Sequence, residues 1–121
     1  MSSTAEQINA AIGAHGMWKL RLKTAITSGA KDLDSRTVSQ DCECAFGKWL
    51  YGPEIDARTR ASMPYQVVKR LHQEFHHSAG RVVQAVECGQ NQAAKQLMES
   101  DFVPRSEKLV RALMKWKGEV A

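Results

Sequence analysis

Apolar residues recur every three or four positions through most of the chain, which is the spacing of an amphipathic helix. The first stripe of this kind runs from Ile8 to Ile26. Ser3-Thr4-Ala5-Glu6 before it has the S-x-x-E spacing of a helix cap, and Gly29 follows it. We therefore predict a first helix that ends at Gly29, with His15 in the middle of its apolar stripe.

A longer stripe later in the chain predicts the most regular helix. Its apolar positions fall within residues 68–86, and both His72 and His76 lie on the same stripe. Pro64 suits the first turn of this helix, because a proline there loses no hydrogen bond. Gly89 is placed to end it.

The segment between these two helices contains a connection and a short helix. Residues 29–40 lose the helical period and are rich in turn formers, so we expect a connection there. Asp41 can cap a short helix that carries Cys44, and Gly52-Pro53 can end that helix.

The C-terminal part returns to the helical period. The pattern begins at Asn91 and reaches Trp116, and Pro104 is expected to kink or break it. No alternation typical of a strand is present. The sequence thus predicts an all-α fold in a single domain over residues 1–121, arranged as a four-helix bundle with a short extra helix that carries the cysteine motif.

Composition and charge exclude several classes of protein. No apolar run approaches the roughly 20 residues of a membrane span, and no secretory signal begins the chain, so we expect no membrane insertion and a cytoplasmic location. The net charge is only +4, with Lys and Arg spread along the chain and no nucleic-acid-binding motif. Nucleic acid is therefore not an expected partner.

Four side chains that commonly bind metals lie at positions predicted to face inward. His72 and His76 are four residues apart, so both rings project from one face of their helix. His15 is a polar ring in an apolar stripe and must be hydrogen-bonded or ligated once it is buried. Cys44 lies on the apolar side of the short helix.

Each of these residues also has a plainer interpretation. A buried histidine usually finds a hydrogen-bond partner in the core, and a free cysteine often packs as a small apolar side chain. Taken together, however, three imidazoles and one thiolate fill a tetrahedral zinc shell. A closed shell of four protein ligands is typical of a structural or sensing site rather than a catalytic one. We therefore predict one Zn²⁺ ion held by His15, Cys44, His72 and His76.

Three motifs carry a resemblance to a known family. Residues 41–52 read D-C-E-C-A-F-G-K-W-L-Y-G, residues 15–21 fit H-x-x-W-K-x-R, and residues 72–76 fit H-x-x-x-H. With these motifs the chain closely resembles the bacterial chemoreceptor zinc-binding domain family over nearly its whole length.

The resemblance implies the same four zinc ligands and a helical bundle that is not an enzyme. Domains of this family are attached to chemoreceptors and diguanylate cyclases or occur as free-standing proteins, and some form homodimers. They report zinc or oxidants such as hypochlorous acid. The resemblance thus implies a chemoreceptor signalling module or a diguanylate cyclase as partner, in the same chain or a separate one.

Several alternatives stay open at this point. Asp41 can either accept a hydrogen bond from a ligand imidazole or only cap its helix. Cys42 can act as a resolving thiol or be inert, and Cys88 is expected to pack. A zinc hydrolase would need an open coordination position and a general base, and the chain lacks the glutamate of the H-E-x-x-H motif. A di-iron bundle would need more histidines and bridging carboxylates. A structural interaction module stabilised by zinc, without a sensing role, is the main competing hypothesis.

Overall fold

The computed structural model describes residues 3–29 and 33–120, and all regular structure within them is helical. The predicted all-α fold is therefore confirmed. The helices, in chain order, are α1 (Thr4–Ser28), α2 (Ser35–Val38), α3 (Ala45–Leu50), α4 (Ala57–Arg60), α5 (Met63–Glu87), α6 (Asn91–Leu97) and α7 (Val103–Val120). Residues Met98–Phe102 between α6 and α7 have π-helical hydrogen bonding and are called the π segment below.

The two long helices have the predicted ends. The Ser3 hydroxyl caps α1 by accepting a hydrogen bond from the Glu6 amide at 3.1 Å. After α1, Gly29 has a φ of 92°, a conformation that favours glycine. Pro64 lies in the first turn of α5, and Gly89 follows that helix with a φ of 72°.

Two helices of a single turn were not predicted. α2 lies inside the segment that we expected to be only a connection, and Asp34 caps it by accepting a hydrogen bond from the Arg36 amide. α4 is capped in the same way by Asp56. Four residues are too few to show a helical period, so the hydrophobic pattern does not reveal such helices. The part of the connection at residues 30–32 lies outside the described residues.

The cap of α3 also differs from the prediction. Asp41 does not cap this helix, and Cys44 does not lie in its body. Instead Cys44 is itself the N-cap, since its Sγ accepts a hydrogen bond from the Gly47 amide at 3.3 Å. The helix ends at Leu50, just before Gly52-Pro53, as expected.

A kink or break was expected at Pro104, but the helix is not interrupted there, and the irregularity is the π segment that precedes the proline. The chain stays helical from Asn91 to Val120, and Pro104 lies in the first turn of α7. A proline inside an α-helix clashes with the carbonyl group four residues earlier, here that of Ser100. The wider backbone of the π segment contains Ser100, so the irregularity lies on the N-terminal side of the proline.

The four helices α1, α5, α6 and α7 pack as the predicted bundle, while α2 lies on α5 and α3 lies on α1. One cluster of buried apolar side chains extends through them. Its largest fully buried members are Trp116, Phe75, Phe102, Ile8, Leu22, Leu50, Leu109 and Leu113. This packing fixes α1, α5 and the start of α3 against one another, and the predicted metal ligands lie on these three elements.

Candidate metal centre

The structure brings all four predicted ligands together. His15 comes from α1, His72 and His76 come from α5, and Cys44 stands at the N-terminus of α3. The three imidazoles are almost completely buried and the cysteine is partly buried. One ligand atom from each side chain lies within 4.8 Å of the others, which is close enough for all four to contact a single ion.

Hydrogen bonds to the backbone orient two of the rings. Nδ1–H of His15 donates to the carbonyl oxygen of Ala11 at 2.8 Å, and Nδ1–H of His76 donates to that of Val38 at 3.0 Å. Because a carbonyl group only accepts, the proton of each neutral ring is on Nδ1. Nε2 of both rings therefore presents a lone pair, which is the form that binds a metal.

The inward-facing atoms lie close to one another. Nε2 of His72 is 3.0 Å from Nε2 of His15 and 3.4 Å from Sγ of Cys44. Nε2 of His76 is fully buried and has no hydrogen-bond partner within the described part of the chain. Since buried polar atoms nearly always have a partner, this unpaired nitrogen indicates that the cluster is shaped for a ligand.

Burial keeps these groups uncharged. Loss of hydration lowers the pKa of His15 to about 4, and burial together with the neighbouring imidazoles lowers that of His72 to about 2. Burial also lowers the pKa of His76. For Cys44, burial raises the thiol pKa, while the hydrogen bond from the Gly47 amide acts in the opposite direction. Neutral imidazoles are ready to act as ligands, whereas the thiol must lose its proton first.

The ligand set fits zinc. Three imidazole nitrogens and one thiolate sulfur make a mixed nitrogen and sulfur shell of four, the number that structural zinc sites use. Carboxylate oxygens, which calcium and magnesium prefer, are absent from this cluster of described residues. The predicted cofactor, Zn²⁺, is thus consistent with the chemistry of the site.

Aromatic rings surround the imidazoles. Phe46 and Phe75 both meet the His15 ring edge to face, with centroids 5.9 and 4.9 Å away. Trp18 packs in the same way against His76 at 6.1 Å. These rings restrict how the imidazoles can turn and keep water away from them.

Asp41 lies beside the cluster, on the outer side of His72. Its Oδ2 is 3.9 Å from Nδ1 of His72, which is longer than a hydrogen bond. Nδ1 of His72 is buried and has no partner within the described residues. The hydroxyl of Tyr51 donates a hydrogen bond to the same Asp41 oxygen. Sequence reasoning missed Tyr51, and the only signal for it is its place within the F-G-K-W-L-Y-G run.

A cavity of about 360 Å³ opens beside Cys44 and His76, with Trp18 and Arg21 among its lining residues. The Arg21 guanidinium lies 4.0 Å from the centre of the Trp18 ring. A small molecule in this cavity would lie next to Cys44. The other two cysteines, Cys42 and Cys88, are exposed, so the expectation that Cys88 packs inside was wrong.

Comparison with protein families gives one match. The model of the chemoreceptor zinc-binding domain family matches residues 15–83, more than half of the chain, and the matched span contains all four clustered side chains. The resemblance seen in the sequence is thereby confirmed, over residues 15–83. Searches of curated proteins and of solved structures return no match. Among the described helices, none has the length and hydropathy that a membrane span requires.

Proposed function

The chain belongs to the chemoreceptor zinc-binding domain family, and from this premise we propose that His15, Cys44, His72 and His76 hold one Zn²⁺ ion in a regulatory site. The observation that carries the proposal is the convergence of the four ligand atoms within 4.8 Å. A bound ion would join α1, α5 and the N-terminus of α3 at one point. Asp41 would support the site by accepting a hydrogen bond from His72.

The proposed domain covers residues 1–121, although the family match ends at residue 83. Leu109, Leu113 and Trp116 of α7 belong to the same buried cluster as Ile8 and Phe75. A unit that ended at residue 83 would leave this core open to water. The C-terminal helices are therefore part of the unit that holds the ligands in place.

Cys44 is the residue that would respond to oxidants. Hypochlorous acid oxidises a thiolate by two electrons, so that the sulfur becomes a sulfenic acid and chloride leaves. A sulfenic acid lacks the negative charge of the thiolate and is a weaker ligand. Because Cys44 also caps α3, its oxidation would disturb the start of that helix. The cavity beside Cys44 offers a route for a molecule of this size.

The site is regulatory rather than catalytic in this proposal. Four protein ligands leave no open position for the water molecule that a zinc hydrolase activates. The residue after His72 is Gln73, where the H-E-x-x-H motif has its glutamate base. The output would be a chemoreceptor signalling module or a diguanylate cyclase, in this chain or another. A reducing cytoplasm suits a site that needs a free thiol.

Elemental analysis of the purified protein tests the zinc site. We expect one zinc per chain in the wild type and in Cys42→Ala, and markedly less in Cys44→Ala and His72→Ala. Cys42→Ala is a matched control, because Cys42 is exposed and only two residues from Cys44. A wild type without zinc, or a Cys44→Ala variant with full zinc content, would contradict the proposal.

The same samples test the oxidant response. After mild hypochlorous acid treatment, the wild type and Cys42→Ala should both release zinc. Release by the wild type but not by Cys42→Ala would assign the response to Cys42. Zinc that stays bound in both proteins would favour the competing function, a helical interaction module that zinc only stabilises.

A further inference from the structure

The three imidazoles of the proposed zinc site differ in the hydrogen-bond partner of Nδ1, the ring nitrogen that would not bind the metal. Nδ1 of His15 and Nδ1 of His76 each donate to a backbone carbonyl group. Nδ1 of His72 has no partner among the described residues, although the His72 side chain is fully buried. His72 is thus the ligand whose orientation is not fixed by the backbone.

A metal bound to Nε2 of His72 would leave Nδ1–H of this ring in need of a hydrogen-bond acceptor. A neutral imidazole that binds a metal through Nε2 carries its proton on Nδ1. That buried N–H group then needs an acceptor, because an unpaired donor in the protein interior has lost its hydrogen bonds to water without replacing them. Asp41 supplies the nearest carboxylate oxygen, at 3.9 Å. A shift of about 1 Å would bring this oxygen into hydrogen-bond range.

Tyr51 determines where that carboxylate lies. Its hydroxyl donates to Oδ2 of Asp41, the same oxygen that faces His72. Tyr51 follows the last residue of α3, and Asp41 precedes the Cys44 cap of that helix. The hydrogen bond therefore joins the two ends of residues 41–51, the segment that carries Cys44. It also holds Asp41 next to His72.

We propose that Tyr51 is a positioning residue of the zinc site, whose hydroxyl holds Asp41 so that the carboxylate accepts a hydrogen bond from Nδ1–H of His72. This inference rests on the proposed function. Tyr51 touches no metal ligand in this scheme and acts through Asp41. Outer hydrogen-bond partners of metal ligands typically change metal affinity by about 10- to 100-fold.

A double-mutant cycle tests the inference. Zinc affinity is measured by competition with a chelator for the wild type, Tyr51→Phe, Asp41→Asn and the double variant. We expect Tyr51→Phe to weaken binding roughly 10-fold. Because both residues act through one hydrogen-bonded chain, the double variant should be no weaker than Asp41→Asn alone. Effects that multiply, or an affinity of Tyr51→Phe equal to that of the wild type, would overturn the inference.

Tyr65→Phe is the matched control. The Tyr65 hydroxyl donates to the carbonyl oxygen of Leu50 at 2.8 Å, so this variant also removes a tyrosine hydroxyl that contacts the end of α3. It leaves Asp41 untouched and should keep zinc affinity within about twofold of the wild type, well below the effect of losing an outer partner. An equal loss in Tyr65→Phe would mean that Tyr51 acts only through the stability of α3, which overturns the positioning role.

NMR of the zinc-loaded wild type gives a readout that does not depend on any variant folding. The Nδ1–H proton of His72 should appear at low field, as expected for a hydrogen bond to a carboxylate. A His72 ring without this signal would overturn the inference even while zinc binding stands. A wild type that binds no zinc would overturn the proposed function as well.

Discussion

Cys44 is the N-cap of α3 and is also one of the four proposed zinc ligands. Its sulfur lies 3.4 Å from Nε2 of His72 and also accepts a hydrogen bond from the Gly47 amide at the start of α3. Serine is a preferred N-cap residue but a poor substitute for a thiolate ligand. The two roles can therefore be separated by the choice of substitution.

We predict that Cys44→Ser loses zinc but keeps the metal-free stability of the wild type, because the serine hydroxyl retains the cap. Cys44→Ala should lose zinc and also about 0.5–2 kcal/mol of unfolding free energy. Denaturant unfolding in the presence of a chelator measures both variants. Equal destabilisation by serine and alanine would show that the cap contributes nothing.

Gly47 is required by a close approach of the chain. A Cβ atom at this position would overlap the carbonyl group of Asp41 and contact Cys42, and both are backbone atoms that cannot turn away. We predict that Gly47→Ala costs about 1–3 kcal/mol of stability, the usual range for overpacking, and weakens zinc binding because the turn before Cys44 must move. Unfolding and zinc competition measure the two effects.

Gly13→Ala serves as the control for this prediction. Gly13 is exposed on α1 and a Cβ there meets no atom within 4 Å. The substitution should therefore stabilise the protein by about 0.5–1 kcal/mol, as alanine does in a helix. A Gly47→Ala variant as stable as Gly13→Ala would contradict the close approach.

At this scale the sequence identifies the four clustered side chains better than the groups that orient them. The histidines and Cys44 are recognisable because imidazole and thiol groups in an apolar stripe are unusual. The partners of His15 and His76 are backbone carbonyl groups, which every residue has. Tyr51 and Asp41 are ten residues apart, and only the fold of the segment between them shows that they meet.

Among the elements, the π segment is held to its neighbours by hydrogen bonds to one of its side chains, that of Asp101. Asp101 within it accepts hydrogen bonds from Ser78 and Arg81 of α5, both at 2.5 Å, and from Arg105 of α7 at 3.0 Å. These donors hold the pKa of Asp101 at about 2, below the ordinary value, against the opposing effect of its partial burial. One carboxylate thus ties the irregular part of the C-terminal helices to α5.

We predict that Asp101→Asn lowers the unfolding free energy by about 1–2 kcal/mol at pH 7, with solvent screening of the part-exposed arginines keeping the loss small. The folded pKa lies below the unfolded one, so the contribution is complete well above pH 3.8 and is lost as the pH falls from there through about 2. Denaturant unfolding with a chelator present is measured at pH 7, 5 and 3. The difference in unfolding free energy between the wild type and Asp101→Asn should be equal at pH 7 and 5 and smaller at pH 3.

Glu99→Gln is the control for the π segment. Glu99 lies in the same segment and is exposed. Its substitution should change stability by less than about 0.5 kcal/mol, as is usual for surface positions. If Glu99→Gln were as costly as Asp101→Asn, the loss would reflect the charge of the segment and not the hydrogen bonds of Asp101.

Element lengths explain which parts of the fold were predictable. α1 and α5 each contain 25 residues, enough to show several turns of the helical period and clear end signals. α2 and α4 have four residues each and leave no periodic pattern. α2 nonetheless matters for the site, because its Val38 carbonyl group orients His76. Such a contribution comes from tertiary packing and has no local signature.

For the whole molecule, the proposed ion links segments that are far apart in sequence. Anything that binds only the folded state stabilises it, by about 2.7 kcal/mol when the free ligand is at 100 times its Kd. We predict that the unfolding midpoint of the wild type rises with buffered free zinc, whereas that of His72→Ala does not. Thermal unfolding over a zinc series measures this. A parallel rise in both proteins would place the stabilising ion elsewhere.

The separation of the histidines also has a consequence during synthesis of the protein. His15 and His72, whose Nε2 atoms lie 3.0 Å apart, are separated by 57 positions in the chain. A ribosome adding roughly 5–20 residues per second needs about 3–11 seconds to make the intervening segment. During that interval only two of the four proposed ligands, His15 and then Cys44, have been synthesised. The proposed ion would therefore be acquired only after α5 has been synthesised, so that loading depends on the zinc available at that stage and not earlier.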